Sequence, residues 1–524
     1  MKNRLTGVLI FFILGGSLLL GGKWLLPYFQ EKQQKATSDA SYTEGEITIA
    51  VDNWIGYFPL CSKEMRKRMH RNGWLLQCED DRADYSSRMS RLAANKIDFA
   101  VVTVDSYLLN ANKFNYPGAI VMVIDESKGG DAIVAKKEKA ANLDAIRDTN
   151  NLRIAFTPNS PSHHLLKAAA DHFNLPGLLP KEKQLRIETE GSEGALKEIL
   201  SGNADVAVLW EPDVSKALSK KDIIKLLGTE ETERLIVDIL VVNREFMQKS
   251  PEAVSMLMGT YFKTLKNYRD NPSDLLEDLI KETKLKKKAA KSMLSGVHWV
   301  SLTENSEKWF GIAGPAGYAD ELITDTIDSS ADILVHAGDF SSSPIPNQDS
   351  YRLIKRSFLE DLFLKGVSGF TTPGKKNAAN PRKTNSLETK FAPLHDGDWD
   401  RLAEVGTLKI KPIIFSRGSI KLDLMAQHEI DLAVKKLAHY PHFRVLIKGH
   451  TGTRGDHEAN LLLSRQRADA VTAYLQSRFN IDSNRLKSVG FGAQHPLKRQ
   501  DGEAKRAYEQ RLLRVELVLV REEL

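Results

Sequence analysis

The chain has few of the features that carry chemistry. Its 524 residues include two cysteines, Cys61 and Cys78, and neither is near the end of the one long apolar run, so no site for lipoprotein processing is expected. No spacing of His, Cys, Asp or Glu matches a metal site, and no set of nucleophile, base and acid stands out. The reading is therefore of a protein that is not an enzyme and needs no metal or cofactor. Charge of one sign is scarce too: 74 Lys and Arg against 68 Asp and Glu give +6, too little over this length to argue for nucleic acid. The basic stretch from Lys281 to Lys291 reads as a solvated helix face.

The one long apolar run, Leu5 to Gly22, has 18 residues without a charge. As a helix it would extend about 27 Å at ~1.5 Å per residue, nearly a bilayer core. Lys23 can snorkel while Trp24 and Tyr28 settle among headgroups. Two readings stand: an uncleaved transmembrane signal anchor over residues 1–28, or a cleaved signal peptide, for which Lys2 and Arg4 supply the basic start but no Ala-x-Ala-like site follows. Either exports the rest of the chain. Residues 29–45 are polar and read as a stalk.

From Glu46 onward, β-rich apolar runs alternate with amphipathic stretches: Ile47 to Val51, Ile97 to Val104, Ile120 to Ile124, Arg153 to Phe156, Ala204 to Trp210 and Ile236 to Val242. The alternation predicts α/β layers with a largely parallel sheet. Ligands in such folds sit beyond the carboxyl ends of strands. The residues at those ends are the candidate ligand set: Asn53, Trp54 and Tyr57; Thr103 and Asp105; Ser160 and Ser162; Trp210 and Glu211. Their chemistry points two ways. Amides at the helix opening Ser160-Pro-Ser162 suit an anion, whereas the aromatic faces and carboxylates suit an amine. His163 and His164 read as helix-surface residues. Cys61 and Cys78 fall at the same sheet edge and are either bonded or free.

The segments Ile47 to Tyr57, Ala94 to Asp105, Gly129 to Val134, Thr157 to Leu166, Gly202 to Asp213 and Val241 to Phe246 resemble the periplasmic solute-binding proteins of ABC transporters, of the nitrate, taurine and thiamine-precursor type. The resemblance implies a two-lobed periplasmic-binding-protein fold over residues 46–345 that closes by a hinge on a small-molecule solute and can pass it to an ABC permease. By analogy the lobes are joined near Asp125 to Gly130 and Ile236 to Val242.

Residues 346–399 read as a helix (Tyr351 to Lys365) and a flexible linker rich in Gly, Pro, Asn and Lys. In the terminal unit, residues 400–524, Leu408 to Phe415, Phe443 to Ile447, Arg485 to Val489 and Arg514 to Val520 are expected strands. Leu424 to Leu437 and Glu458 to Arg478 are expected helices. The run Gly449-His-Thr-Gly-Thr-Arg-Gly-Asp-His-Glu-Ala-Asn-Leu-Leu-Leu-Ser-Arg-Gln-Arg-Ala468, with Gly490 to Pro496 and Arg514 to Glu516, resembles the OmpA-like peptidoglycan-binding family. The resemblance implies a small α/β sandwich that grips diaminopimelate with opposite charges at its two ends. Thr451, Asn460 and Arg467 match the family pattern. Gly452 stands where the family has an aspartate, and Asp456 in the same loop is a candidate substitute. Together these readings describe an inner-membrane, single-pass cell-envelope protein with most of its chain in the periplasm and with a solute, peptidoglycan and the membrane as partners. The alternative is a structural or sensory envelope protein on a degenerate solute-binding fold.

Overall fold

The computed structural model describes residues 43–147, 149, 151–312, 320–364, 391–411, 413, 415, 419–500 and 502–522. Among the described residues, no helix is long and apolar enough to cross a membrane. The run expected to form the anchor and most of the expected stalk lie outside them, as do residues 365–390 of the expected linker.

Fifteen strands fall into three sheets among the described residues. The first six-stranded sheet takes β1 (Gly45–Val51), β2 (Trp74–Asp80), β3 (Phe99–Thr103) and β4 (Gly118–Ser127) before the chain leaves it. The second sheet is built from β5 (Asp131–Lys136), β6 (Ile154–Phe156), β7 (Arg186–Glu188), β8 (Val206–Trp210) and β9 (Ile223–Gly228). The chain then returns as β10 (Val237–Asn243) and β11 (Val297–Trp299) to complete the first sheet, in the order β11-β4-β10-β3-β1-β2. Each sheet centres one lobe, and two segments join them, residues 128–130 and 229–236. The second join precedes the expected one, because Val237–Asn243 is buried along its whole length as a central strand between β3 and β4. The first sheet is mixed rather than largely parallel. β1 runs parallel to β2 and β3, but β10 re-enters from the other lobe and opposes both of its neighbours.

Cores follow from the sequence pattern. β4 (GAIVMVIDES) and β10 (VDILVVN) are covered on both faces and so read as near-continuous apolar runs. Helices Lys63–Arg71, Tyr85–Ala93 and Pro251–Asp270 lay their apolar sides on this sheet. Cys61 and Cys78 are bonded, with Cα atoms 6.0 Å apart.

The terminal unit is a four-stranded sheet, β12 (Ala403–Thr407), β13 (Arg444–Gly449), β14 (Leu486–Gly490) and β15 (Val515–Arg521), in the order β12-β15-β13-β14. Helices Leu424–Leu437 and His457–Phe479 contribute to its core. Gly449 and Gly490 let helix His457–Phe479 approach: a Cβ on Gly449 would stand 2.0 Å from the Ser464 carbonyl oxygen. The expected strand Leu408 to Phe415 is displaced to Ala403–Thr407. Leu408 N still bonds Leu517 O, but Lys409 N donates to His172 O of the second lobe at 2.6 Å and leaves the sheet. The unit's packing begins at Phe391, whose N–H donates to Asp482, and Trp399 is buried on the far side of the sheet.

The terminal unit is docked on the second lobe, and their apolar residues form one core that includes Leu143 and Phe173 with Val405, Leu408 and Tyr440. Polar contacts specify the fit. Thr407 bonds Asp144, Lys436 pairs with Asp171 at 3.0 Å, and Glu233 N donates to His439 O at 2.7 Å. Helix Leu322–Ala337 packs on both helix Val104–Ala111 of the first lobe and helix Pro161–His172 of the second, and its Ser329 hydroxyl meets His439 Nε2 at 2.8 Å.

Candidate functional site

Between the lobes lies a cavity of about 790 Å³, walled by the carboxyl ends of β1, β2, β6 and β8 and by residues beside the two joins. That volume lies in the range of small-molecule sites, ~300–1,000 Å³. Of the residues expected from sequence, Asn53, Trp54, Tyr57, Ser160, Ser162 and Trp210 line it. Three others do not. Thr103 and Asp105 are buried at the start of helix Val104–Ala111, with Ser106 donating to Asp105. Glu211 turns to its own loop, where it accepts from the Ser215 hydroxyl at 2.7 Å and from Ser215 N. His163 and His164, expected on a helix surface, are buried; His163 stacks on Phe156 at 4.4 Å, and burial pushes its pKa down to about 2.

Carboxylates hold the aromatic walls in place. Trp54 Nε1 donates to Asp125 Oδ1 at 3.0 Å, the Tyr57 hydroxyl donates to Asp238, and the Tyr85 hydroxyl donates to Asp52 at 3.3 Å. Beneath them Arg88 is fully buried. It pairs with Asp81 through Nε at 2.7 Å and with Asp52 through Nη2 at 3.2 Å. Across the cleft, Ser160 caps helix Pro161–His172 by accepting from His163 N, and the Ser162 hydroxyl donates to Asp131 Oδ1 at 2.5 Å. Asp131 also accepts from the Ser127 hydroxyl at 2.7 Å.

Burial makes these carboxyl groups reluctant to ionise. It raises Asp131 to about 6 even though Ser162 and Ser127 favour the charged form. It raises Asp125 to about 7 and Asp238 well above its ordinary value, the latter also repelled by Asp125. Sequence reasoning missed Asp52, Asp81, Tyr85, Asp131 and Asp238. The acidic run Glu79 to Asp84 does follow a strand end, so the same edge rule could have found its members.

In the terminal unit Thr451 lies in the loop after β13, Asn460 in the first turn of helix His457–Phe479, and Arg467 midway along it. The Thr451 hydroxyl is buried without a hydrogen-bond partner among the described residues, and Thr451 N donates to Gly492 O. Asn460 Nδ2 donates to Arg454 O at 3.0 Å. Arg467 is buried, its guanidinium 5.0 Å above the Phe415 ring and its Nε donating to Ser419 O at 3.2 Å. Asp456 caps this helix by accepting from Ala459 N at 2.9 Å. A Cβ on Gly452 would meet only Leu513, at 3.8 Å, so space for the family's carboxylate is present.

The comparisons with known proteins divide the chain in the same way. Residues 82–285 match the family described as ABC transporter, phosphonate, periplasmic substrate-binding protein, and residues 414–510 match the OmpA family. Among curated relatives, a peptidoglycan-associated lipoprotein of Buchnera aphidicola is 23% identical over 144 residues, which are 26% of this chain and 82% of that protein. Outer membrane protein Omp38 of Acinetobacter baumannii is 33% identical over 85 residues, 16% of this chain and 24% of Omp38. Similar solved structures include the alkanesulfonate-binding protein SsuA from Xanthomonas axonopodis pv. citri bound to MOPS (14% identity, 60% of this chain and 100% of that one, TM-score 0.43). They also include the periplasmic nitrate-binding protein NrtA from Synechocystis PCC 6803 (11% identity, 64% and 90%, TM-score 0.43). The chain joins a domain of the periplasmic substrate-binding family of ABC transporters to a domain of the OmpA family.

Proposed function

We propose that this is a cell-envelope binding protein that takes a small solute into the cleft between its lobes and holds peptidoglycan through its OmpA-family domain. The observation that carries the solute reading is the cavity of about 790 Å³ beside both chain crossings, where contact with both walls favours the closed form. The wall reading rests on the OmpA-family match over residues 414–510, within which Thr451, Asn460 and Arg467 keep the family's residue types. In this reading residues 46–345 bind the solute, residues 400–524 bind the wall, and the apolar run at residues 5–22 anchors the chain in the inner membrane. Delivery to an ABC permease completes the transport version.

One observation favours a second, sensory version. The OmpA-family domain touches the second lobe, the crossing residue Glu233 and the lobe-spanning helix Leu322–Ala337, so the domain that would hold the wall is in direct contact with the parts that move on cleft closure. Native mass spectrometry of the full chain after incubation with a whole-cell small-molecule extract tests the solute reading. A retained mass released on denaturation supports it, and a bare chain from every extract contradicts it.

A further inference from the structure

Resting on the cleft as a solute site, we propose that its solute is an organic cation, an amine or quaternary ammonium, and not an anion.

Around the cavity the ionisable side chains other than tyrosine are seven carboxylic acids and one base, Arg82. The nearby buried base, Arg88, is already committed: Asp81, Asp52 and the Val101 carbonyl take its donors. Among the described residues no buried cation facing the cavity is therefore left over for an incoming phosphonate, sulfonate or nitrate. The place where a helix start could hold such an anion already has a carboxylate beside it. Pro161 has no N–H to offer, Ser160 Oγ accepts from His163 N, and the Ser162 hydroxyl donates to Asp131. Asp131 is thus the chain's own anion at that helix, and a second anion there would meet it head on. A cation arriving in the cleft meets Asp131 on one lobe and Asp80 and Asp84 on the other, so its charge draws the lobes together.

The remaining walls suit the organic part of such a solute. Trp54, Tyr57 and Trp210 line the cavity with aromatic rings, whose quadrupoles attract ammonium groups, and Tyr85 already holds a cation this way, the Arg88 guanidinium 4.9 Å from its ring centre. Bonds from Trp54, Tyr57 and Tyr85 to Asp125, Asp238 and Asp52 fix those rings before ligand arrives. The Thr157 hydroxyl, buried on the cavity wall and without a partner among the described residues, can accept from an ammonium N–H.

The test is thermal unfolding of the full chain with choline, putrescine and spermidine in one arm and methylphosphonate, methanesulfonate and nitrate in the other. The expected result is a saturable rise of about 2 °C or more with at least one cation, because ligand bound to the native state stabilises it. Asp131→Asn, which keeps shape and loses charge, should weaken that cation at least tenfold. Trp210→Ala, on the half-exposed wall, provides a second variant if the first does not fold. A rise with the anions alone overturns the cation assignment and leaves the cleft a binding site. Silence of all six probes also overturns it, and the extract experiment then decides separately whether the cleft binds anything.

Discussion

Acidification should release the OmpA-family domain from the second lobe. His172 and His439 stack at 5.3 Å across the contact and are both buried. His439 Nδ1 lies 2.7 Å from the Glu233 carbonyl and its Nε2 lies 2.8 Å from the Ser329 hydroxyl, so the neutral ring donates at one nitrogen and accepts at the other. The Tyr440 hydroxyl and His172 Nδ1 share a hydrogen bond of 2.8 Å. Burial pushes His439 down to about 3, assisted by Arg234, and pushes His172 well below 6.5, assisted by His439 and Lys436. Separated and solvated, each ring would return to about 6.5. Above that pH both forms are neutral and docking is at full strength. Below it the separated form takes up protons that the docked form refuses, so docking weakens as pH falls. At pH 5.5, one unit below the solvated value, two rings at about 1.4 kcal/mol each cost about 2.8 kcal/mol, roughly 100-fold in the docking equilibrium. Asp171 does not confuse the result. Burial opposes its charge, but Lys436, His336 and Lys409 hold it below the usual carboxylate range, so it stays ionised at pH 5.5. Hydrogen exchange at pH 7.5 and 5.5, corrected for intrinsic rates, should show lost protection in residues 229–236 and 436–443 at the lower pH. Equal protection at both values would refute the reasoning, and the paired His172→Gln, His439→Gln variant should remove the pH dependence.

Three further outcomes follow from the geometry. Since burial raises Asp131 to about 6 and a bound cation favours its ionised form, cation affinity should fall by up to about tenfold per pH unit below 6. Calorimetry in two buffers of different ionisation enthalpy should detect the released proton, and a flat pH profile counts against the role of Asp131. Replacing Cys61 and Cys78 by serine opens a closure between residues 17 apart and should cost about 3 kcal/mol, read as a lower urea midpoint. Gly452→Asp should strengthen sacculus binding while moving stability by less than about 0.5 kcal/mol, since the added side chain meets open space; unchanged binding places the family's ammonium contact elsewhere.

Much of the fold was legible because its signals are local. The buried runs of β4 and β10 and the strand ends bearing Trp54, Tyr57 and Trp210 follow from periodicity and from the rule that ligands sit at carboxyl edges. The second crossing, placed by analogy at Ile236 to Val242, falls just before it, because that apolar run is a central strand of the first sheet. Asp131 and Asp238 escaped notice because they stand at the amino starts of β5 and β10, beside the crossings, where a search of carboxyl ends does not look. The docking of the terminal unit was not legible. Asp144, His172 and Glu233 belong to one domain and Thr407 and His439 to the other, and each reads alone as an ordinary polar surface residue. Lys409 shows the same limit, since the tertiary bond to His172 O ends the strand that its neighbours' pattern predicts.

The most direct test of the account is sedimentation of the full chain with purified peptidoglycan sacculi, with thermal unfolding run beside it. The account predicts that the chain pellets and that Arg467→Ala stays in the supernatant while still unfolding cooperatively. A wild-type chain that remains in solution, or a folded Arg467→Ala variant that pellets equally well, would contradict it.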